Sequence, residues 1–183
     1  RRRQDGGYTV ASGSMIVADI VPDSFRLFTT FLPALMMERK GARLRLGRRF
    51  FDEMTTPRRW QLDEQTPFEK TRVLDPKPHQ SILDDAMANL RSAFPIFENV
   101  AVAESWAGLI DVTPDAVPVI SAVDGNEGLY LATGFSGHGF GIGPGAGRLI
   151  AELVSGADPC VDPTPFRYSR FVDGSKLRPA SAI

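Results

Sequence analysis

The sequence predicts an α+β fold built on a mainly antiparallel sheet. Three observations carry this expectation. Short β-rich runs follow one another across brief turns, which is how antiparallel strands connect. One stretch, Ile82 to Phe94, repeats its apolar residues at helical spacing. Further on, the apolar run Leu129-Tyr130-Leu131-Ala132 leads into a glycine-rich stretch, Thr133 to Gly147, and then into Arg148-Leu149-Ile150-Ala151-Glu152-Leu153-Val154. That order reads as strand, loop, helix.

Taken in order, Tyr8–Ala11 and Met15–Val21 read as a hairpin across Ser12-Gly13-Ser14. Asp23 and Ser24 are helix N-cap types. Phe25, Leu27, Phe28, Phe31, Leu32, Leu35 and Met36 then recur at helical spacing. Pro33 inside that pattern predicts a kink or two short helices, and Gly41 an end. Arg43-Leu44-Arg45-Leu46 alternates as a half-buried strand does. Residues 51–67, polar and proline-punctuated, read as loop, and Arg72-Val73-Leu74 as a short strand. The helix of Ile82, Leu83, Ala86, Met87, Leu90 and Phe94 turns Asp84, Asp85, Asn89 and Arg91 outward and stops at Pro95. Val100–Asp111 reads as a long strand, Val117–Ile120 as another and Leu129–Thr133 as a third, with the turn Asp124-Gly125-Asn126-Glu127-Gly128 between the last two. The following helix is expected from about Ala146 to Val154, closed by Ser155-Gly156. Asp162–Phe171 reads as irregular or one helical turn, and residues 172–183 as a disordered tail.

Composition narrows the function classes. At 183 residues the chain can form one domain with a proper core, or a large piece of a longer protein. No run approaches the roughly 18 apolar residues of a membrane span. The single cysteine, Cys160, excludes an internal disulfide framework and reads as a bystander thiol in a proline-rich segment. With two histidines beside it, no His/Cys metal site is expected. No apolar segment follows Arg1-Arg2-Arg3-Gln4-Asp5-Gly6-Gly7, so no signal peptide is read and a reducing, cytoplasmic setting is the expectation. The net charge of −1 conceals a basic first third, with Arg43, Arg45, Arg48, Arg49, Arg58 and Arg59 added to the opening arginines. No helix carries these as a stripe and no aromatics interleave with them, so a solvated or contact face is expected rather than a nucleic-acid site. The start, with Gly6-Gly7-Tyr8-Thr9-Val10-Ala11 as a strand entered abruptly, reads as a fragment or as one half of a two-part protein.

A stretch as poor in Cβ atoms as Gly134 to Gly147 lets backbone approach a ligand closely. The helix behind it points unpaired N–H groups and its positive end at the loop. Gly141, Gly143 and Ala146 satisfy a loose G-x-G-x-x-A dinucleotide pattern, but such a pattern opens a βαβ unit, and here a proline-rich segment follows. Pro144 removes a donor as well, and no Gly-Lys-Ser/Thr is present for a P-loop. A purely structural glycine loop is the alternative.

A second stretch makes the pattern more specific. Trp106-Ala107-Gly108, then Thr113-Pro114-Asp115-Ala116-Val117-Pro118-Val119-Ile120, then Gly128-Leu129-Tyr130-Leu131-Ala132-Thr133-Gly134-Phe135-Ser136-Gly137-His138-Gly139-Phe140, then a small-residue helix, resembles the C-terminal part of the FAD-dependent D-amino acid oxidase superfamily. That group includes glycine and sarcosine oxidases and many amine and amino acid dehydrogenases. Pro165–Phe171 resembles the family's ending and Gly6–Ala11 one of its strands; the resemblance is strong over residues 98–171 and thinner over 1–97.

The resemblance implies a division of the chain. Residues 1–103 would form the substrate-binding, mainly antiparallel region, and residues 104–171 the C-terminal strands and helix of an FAD-binding, glutathione-reductase-like domain. It implies that Gly134, Ser136, Gly137, His138, Gly139, Phe140, Gly141 and Ile142 contact the flavin ring, mostly through backbone atoms. For the His138 side chain, simple packing and a direct electrostatic role both stay open. In the implied reaction hydride leaves a carbon next to nitrogen for flavin N5, giving an imine that hydrolyses. Donors at the N1–C2=O edge stabilise the charge that builds there. No side-chain base is assigned, and the catalytic residues stay unknown.

Departures from the family restrict the reading. Where D-amino acid oxidases carry a carboxylate-binding Arg this chain has Ile110, and where sarcosine oxidases carry Lys it has Gly141. Gly108 stands at the position of their covalent flavin cysteine, so non-covalent FAD is expected. The substrate, a small amine or amino acid, would be anchored by an arginine of the first third or by residues outside this sequence. Nothing here resembles the family's N-terminal G-x-G-x-x-G unit, so tight FAD binding by this chain alone is not expected. Two rivals follow: a non-catalytic binding domain of the same fold, and a subunit completing its FAD site with a separate FAD-binding chain.

Overall fold

The computed structural model describes residues 1–11, 16–37 and 42–177. In chain order the elements are β1 (Ile16–Asp19), α1 (Pro22–Arg26), α2 (Phe28–Met37), β2 (Ala42–Arg45), α3 (Arg48–Thr55), α4 (Pro67–Lys70), α5 (Gln80–Ala93), β3 (Val119–Ala122), β4 (Tyr130–Thr133) and α6 (Gly139–Ser155). Short 3-10 turns lie at Pro95–Phe97, Thr164–Phe166 and Tyr168–Phe171. The chain divides into two compact units, Arg1–Phe25 with Arg39–Leu109 and Arg26–Glu38 with Ile110–Ile183.

In the first unit the sheet departs from expectation. β1 pairs with β2 in parallel, Ile16 opposite Ala42 and Asp19 opposite Arg45. A parallel pair needs a long crossover, and the connection here runs through α1 and α2. Tyr8 forms an isolated antiparallel bridge with Arg2 rather than with β1. The expected hairpin turn, Ser12-Gly13-Ser14, and the stop at Gly41 lie outside the described residues. Asp19 and Arg45, directly opposite across the strands, form a 2.6 Å ion pair.

Of residues 51–67, expected as loop, 51–55 lie in α3 and Pro67 opens α4, while 56–66 form no helix or strand. α3 sets Arg48 against Asp52 and Arg49 against Glu53, each four residues apart. α4 opens with a capping box. Thr66 Oγ1 accepts from Glu69 N–H at 3.2 Å, Glu69 Oε2 accepts from Thr66 N–H at 2.7 Å, and Pro67 follows the cap. α5 lies where its periodicity put it, with Phe94 as its C-cap before Pro95. Arg72–Leu74 and the stretch Val100–Asp111 form no strand; their β-rich composition finds no ladder partner among the described residues.

The second unit holds the buried core. Its first element, α2, is separated from α1 of the first unit by a break at Leu27, and it runs through Pro33 instead of ending there. β3 and β4 form the expected antiparallel hairpin, Val119 opposite Thr133 and Ala122 opposite Tyr130. α6 packs on it: Ile120, Ala146 and Leu149 are buried together, with Phe135, Ile150, Leu153 and Phe166 against them. α6 begins at Gly139, a full two turns before the expected Ala146, and contains Pro144. It ends at Gly156, whose φ of 71° and N–H to the Glu152 carbonyl make the left-handed cap.

One ion pair closes this unit. Arg170 Nε and Nη2 donate to Asp115 Oδ2 at 2.8 Å and Oδ1 at 3.1 Å, with side chains only 4% and 6% exposed. Nη2 also donates to the Val117 carbonyl at 2.6 Å and Nη1 to the Arg167 carbonyl at 2.8 Å. Tyr168 N–H donates to Ser121 Oγ on β3 at 2.9 Å, pinning the last turn to the hairpin. Beyond it Arg167 reaches Asp173 at 2.8 Å and Ser175 at 2.7 Å. Residues 178–183 of the expected tail lie outside the described residues.

Burial alone would push the Asp115 carboxyl up, but the Arg170 hydrogen bonds and charge, with Val117 N–H, hold it below the ordinary aspartate range. A depressed carboxylate contributes stability above its unfolded pKa and loses it as pH falls through the folded one. Asp115→Ala, which leaves the guanidinium buried without its anion, is expected to cost about 3–5 kcal/mol. Urea unfolding measures this, and the variant should lose less stability than wild type between neutral pH and acid.

Candidate functional site

The loop between β4 and α6 is braced from one side. Thr133 Oγ1 and Gly134 N–H both donate to Asp111 Oδ2, at 2.7 and 2.8 Å. Ser136 N–H donates to the Asp111 carbonyl at 3.0 Å. Thr113 N–H donates to Ser136 Oγ at 3.2 Å, the Ser136 hydroxyl donates to the Gly134 carbonyl at 3.2 Å, and the Thr113 hydroxyl donates to the Val117 carbonyl at 2.8 Å. The Asp-x-Thr-Pro-Asp segment therefore grips the loop at residues 133, 134 and 136, and its second aspartate is the partner of Arg170.

The loop backbone is left-handed at Gly134, Ser136 and Gly137, with φ of 71°, 49° and 83°. Ser136 lacks a glycine's freedom and is 2% exposed. Such a residue is strained by about 1–3 kcal/mol, and its hydrogen bonds hold it there. Gly134 is required twice over: its φ is positive, and a Cβ would strike Thr113 Cγ2.

The brace divides the expected contact residues by what their N–H groups do. Those of Gly134 and Ser136 are taken by Asp111. Those of Gly141 and Ile142 go to the His138 carbonyl at 3.0 and 3.2 Å, opening α6. His138 donates its own N–H to the Phe135 carbonyl and stands as the N-cap, its side chain making no cap bond. The N–H groups of Gly137, Gly139 and Phe140 make no hydrogen bond among the described residues. These donors lie at the positive end of a 17-residue helix. Around them the Phe140 side chain is 98% exposed, and Ile110 and Ile142 are exposed too. A Cβ at Gly141, Gly143 or Gly145 would meet nothing within 4 Å, and Gly141 and Gly145, four residues apart, leave one face of α6 as bare backbone.

Sequence reasoning did not single out Asp111 and Thr113 as loop supports. Their bonds join residues 22–23 apart, and only the turn at Thr113-Pro114-Asp115 was visible locally. Among the described residues no cluster of His, Cys, Asp and Glu could hold a metal ion, and no helix is long and apolar enough to cross a membrane. Cys160 is exposed, its N–H bound to Glu152 Oε2 at 2.7 Å, and Glu152 raises its thiol pKa. Within the first unit Arg45, Arg48, Arg49 and Arg58 each pair with a carboxylate.

A hairpin, a braced glycine loop and a helix whose leading donors make no hydrogen bond among the described residues thus meet between β4 and α6. Comparison with known proteins gives the class: the profile of the family described as FAD dependent oxidoreductase, DAO, matches residues 8–153. The chain belongs to that family. It is 34% identical over 92 residues to glycine oxidase of Pseudomonas putida, covering 50% of this chain and 25% of that one. Among solved structures it resembles the L-amino acid deaminase from Proteus vulgaris, with a TM-score of 0.85, 32% identity, and coverage of 93% of this chain and 39% of that one. The L-amino acid deaminase from Proteus myxofaciens, solved in complex with anthranilate, gives a TM-score of 0.86 and 33% identity over 93% of this chain and 38% of its own. The chain thus spans about a quarter of the curated relatives it matches.

Gly134→Ala tests the brace. The added Cβ meets Thr113 and the backbone is held at positive φ, so a loss of at least about 1–3 kcal/mol is expected in thermal or urea unfolding. Gly145→Ala, facing open space in the helix, should be neutral or stabilising by about 0.4–1 kcal/mol.

Proposed function

We propose that this chain supplies the flavin-facing loop and part of the substrate region of an oxidoreductase acting on amines or amino acids. The observation that carries the reading is the set of free N–H groups at Gly137, Gly139 and Phe140, held in place by Asp111, Thr113 and Ser136. When bound, FAD supplies a two-electron acceptor for a C–H bond next to nitrogen. The donor set fits its ring: free backbone donors and a helix N-terminus suit an edge that gains negative charge. The exposed Ile110, Phe140 and Ile142 suit an apolar face.

The residues present divide the work. Gly137, Gly139 and Phe140 hold the charge-gaining edge through N–H groups; Asp111, Thr113 and Ser136 keep those groups aimed; the bare face of α6 permits close approach. Gly108, standing where covalent members carry cysteine, supports non-covalent attachment. The names of the relatives, a glycine oxidase and L-amino acid deaminases, support an amino acid or amine as substrate. The sequence contains no glycine fingerprint opening a βαβ unit, so retention of FAD is to be measured on the protein its full coding sequence encodes.

That protein is expected to purify yellow, or to turn yellow on adding FAD, and to bleach anaerobically with its amino acid or amine. A protein colourless even after added FAD overturns the proposal. Phe140→Pro removes one free donor at a helix position that tolerates proline. It should slow anaerobic bleaching by about a hundredfold while the unfolding temperature stays near that of wild type.

A further inference from the structure

We infer that Asp111 is a positioning residue for the cofactor loop, acting on the flavin through the direction it imposes on the donors that follow; this rests on the functional reading above. Its carboxylate and carbonyl accept from Thr133, Gly134 and Ser136, the residues that lead into Gly137. Thr133 ends β4, so Asp111 ties the loop to the edge of the hairpin. It turns the chain into the left-handed conformations at Gly134 and Ser136 from which Gly137 and the start of α6 emerge. If this bracing is lost, the N–H groups of Gly137, Gly139 and Phe140 lose their fixed placement, and their effect on an electron-rich ring edge falls.

Both side-chain bonds go to the same oxygen, Oδ2. An asparagine can therefore place its amide oxygen where Oδ2 stands and accept from both donors without the charge. An alanine has neither the charge nor the acceptor. Asp111→Ala and Asp111→Asn thus differ in bracing and not in charge, which separates positioning from a simple field effect of the carboxylate.

The test compares these variants in the full flavin-loaded protein, reading the midpoint potential of the bound flavin. The potential of Asp111→Ala is expected about 30 mV below that of Asp111→Asn, the two-electron equivalent of a tenfold shift. Weaker FAD retention in Asp111→Ala and near wild-type retention in Asp111→Asn should accompany it. Should Asp111→Ala fail to fold, Thr133→Val removes one donor from the same oxygen and should lower the potential in the same direction by a smaller step. Equal potentials in the alanine and asparagine variants, or an unmoved potential in Thr133→Val where it stands in, overturn the inference while the functional reading survives. A wild-type protein that holds no flavin overturns both.

Discussion

The second unit depends on the buried pairing of Arg170 with Asp115. Taking two charges from water costs several kcal/mol per ion, and the attraction between them returns that only if the remaining donors are satisfied. Here they are. The guanidinium fork meets both carboxylate oxygens, the carbonyls of Val117 and Arg167 take further N–H groups, and the Phe171 ring lies 4.2 Å from the guanidinium carbon. Among the described residues no buried side-chain nitrogen or oxygen lacks a partner. Such a pair adds little net stability over an apolar contact of the same shape, but it admits one arrangement. It joins residues 55 apart and holds the Thr113-Pro114-Asp115 corner in place. Thr113, at the head of that corner, is then positioned to receive the loop through Ser136.

Elements legible in the sequence share one property: their signals are local. The apolar repeat of α5, the Asp124–Gly128 turn between β3 and β4, and Gly156 as the left-handed cap of α6 depend on neighbours within a few residues. The α4 capping box is equally local, carried by Thr66-Pro67-Phe68-Glu69. What was not legible depends on distant partners. Residues 8–11 and 16–19 look like a hairpin by composition, yet β1 finds β2 across a helical crossover. Val100–Asp111 has the residues of a strand but no ladder among the described residues, and β-propensity without a pairing edge makes no sheet.

The site shows the same division. The residues of the glycine loop could be found from their resemblance to a family, and membership in that family is borne out over residues 8–153. Which of those residues have donors to spare could not, because that depends on where Asp111 and the His138 carbonyl reach. Gly134 and Ser136 are spent on the brace and Gly141 and Ile142 on the helix start, leaving the donors between them. In the sequence Asp111 is only the last residue of an expected strand, next to Ile110. Its part in the loop lies in bonds across more than twenty residues.

α6 starts early, at Gly139. Gly139, Gly141, Gly143, Gly145 and Gly147 all lie in its first half, with Pro144 among them. Each glycine costs about 0.8–1 kcal/mol against alanine in a helix, and a proline beyond the first turn about 3 kcal/mol. Local propensity therefore argues against a helix over 139–147, which is why loop was the natural reading. The helix is held at both ends of this stretch: Ala146 and Leu149 pack on Ile120, and the loop before it is fixed by Asp111 and Ser136. Alanines would make the same helix at far lower cost, and at Gly141, Gly143 and Gly145 nothing within 4 Å would oppose them. Packing inside the described chain gives no reason for glycine at those positions. Under the proposed function, close approach of a flat cofactor to the bare backbone at Gly141 and Gly145, which share a face of α6, would supply one.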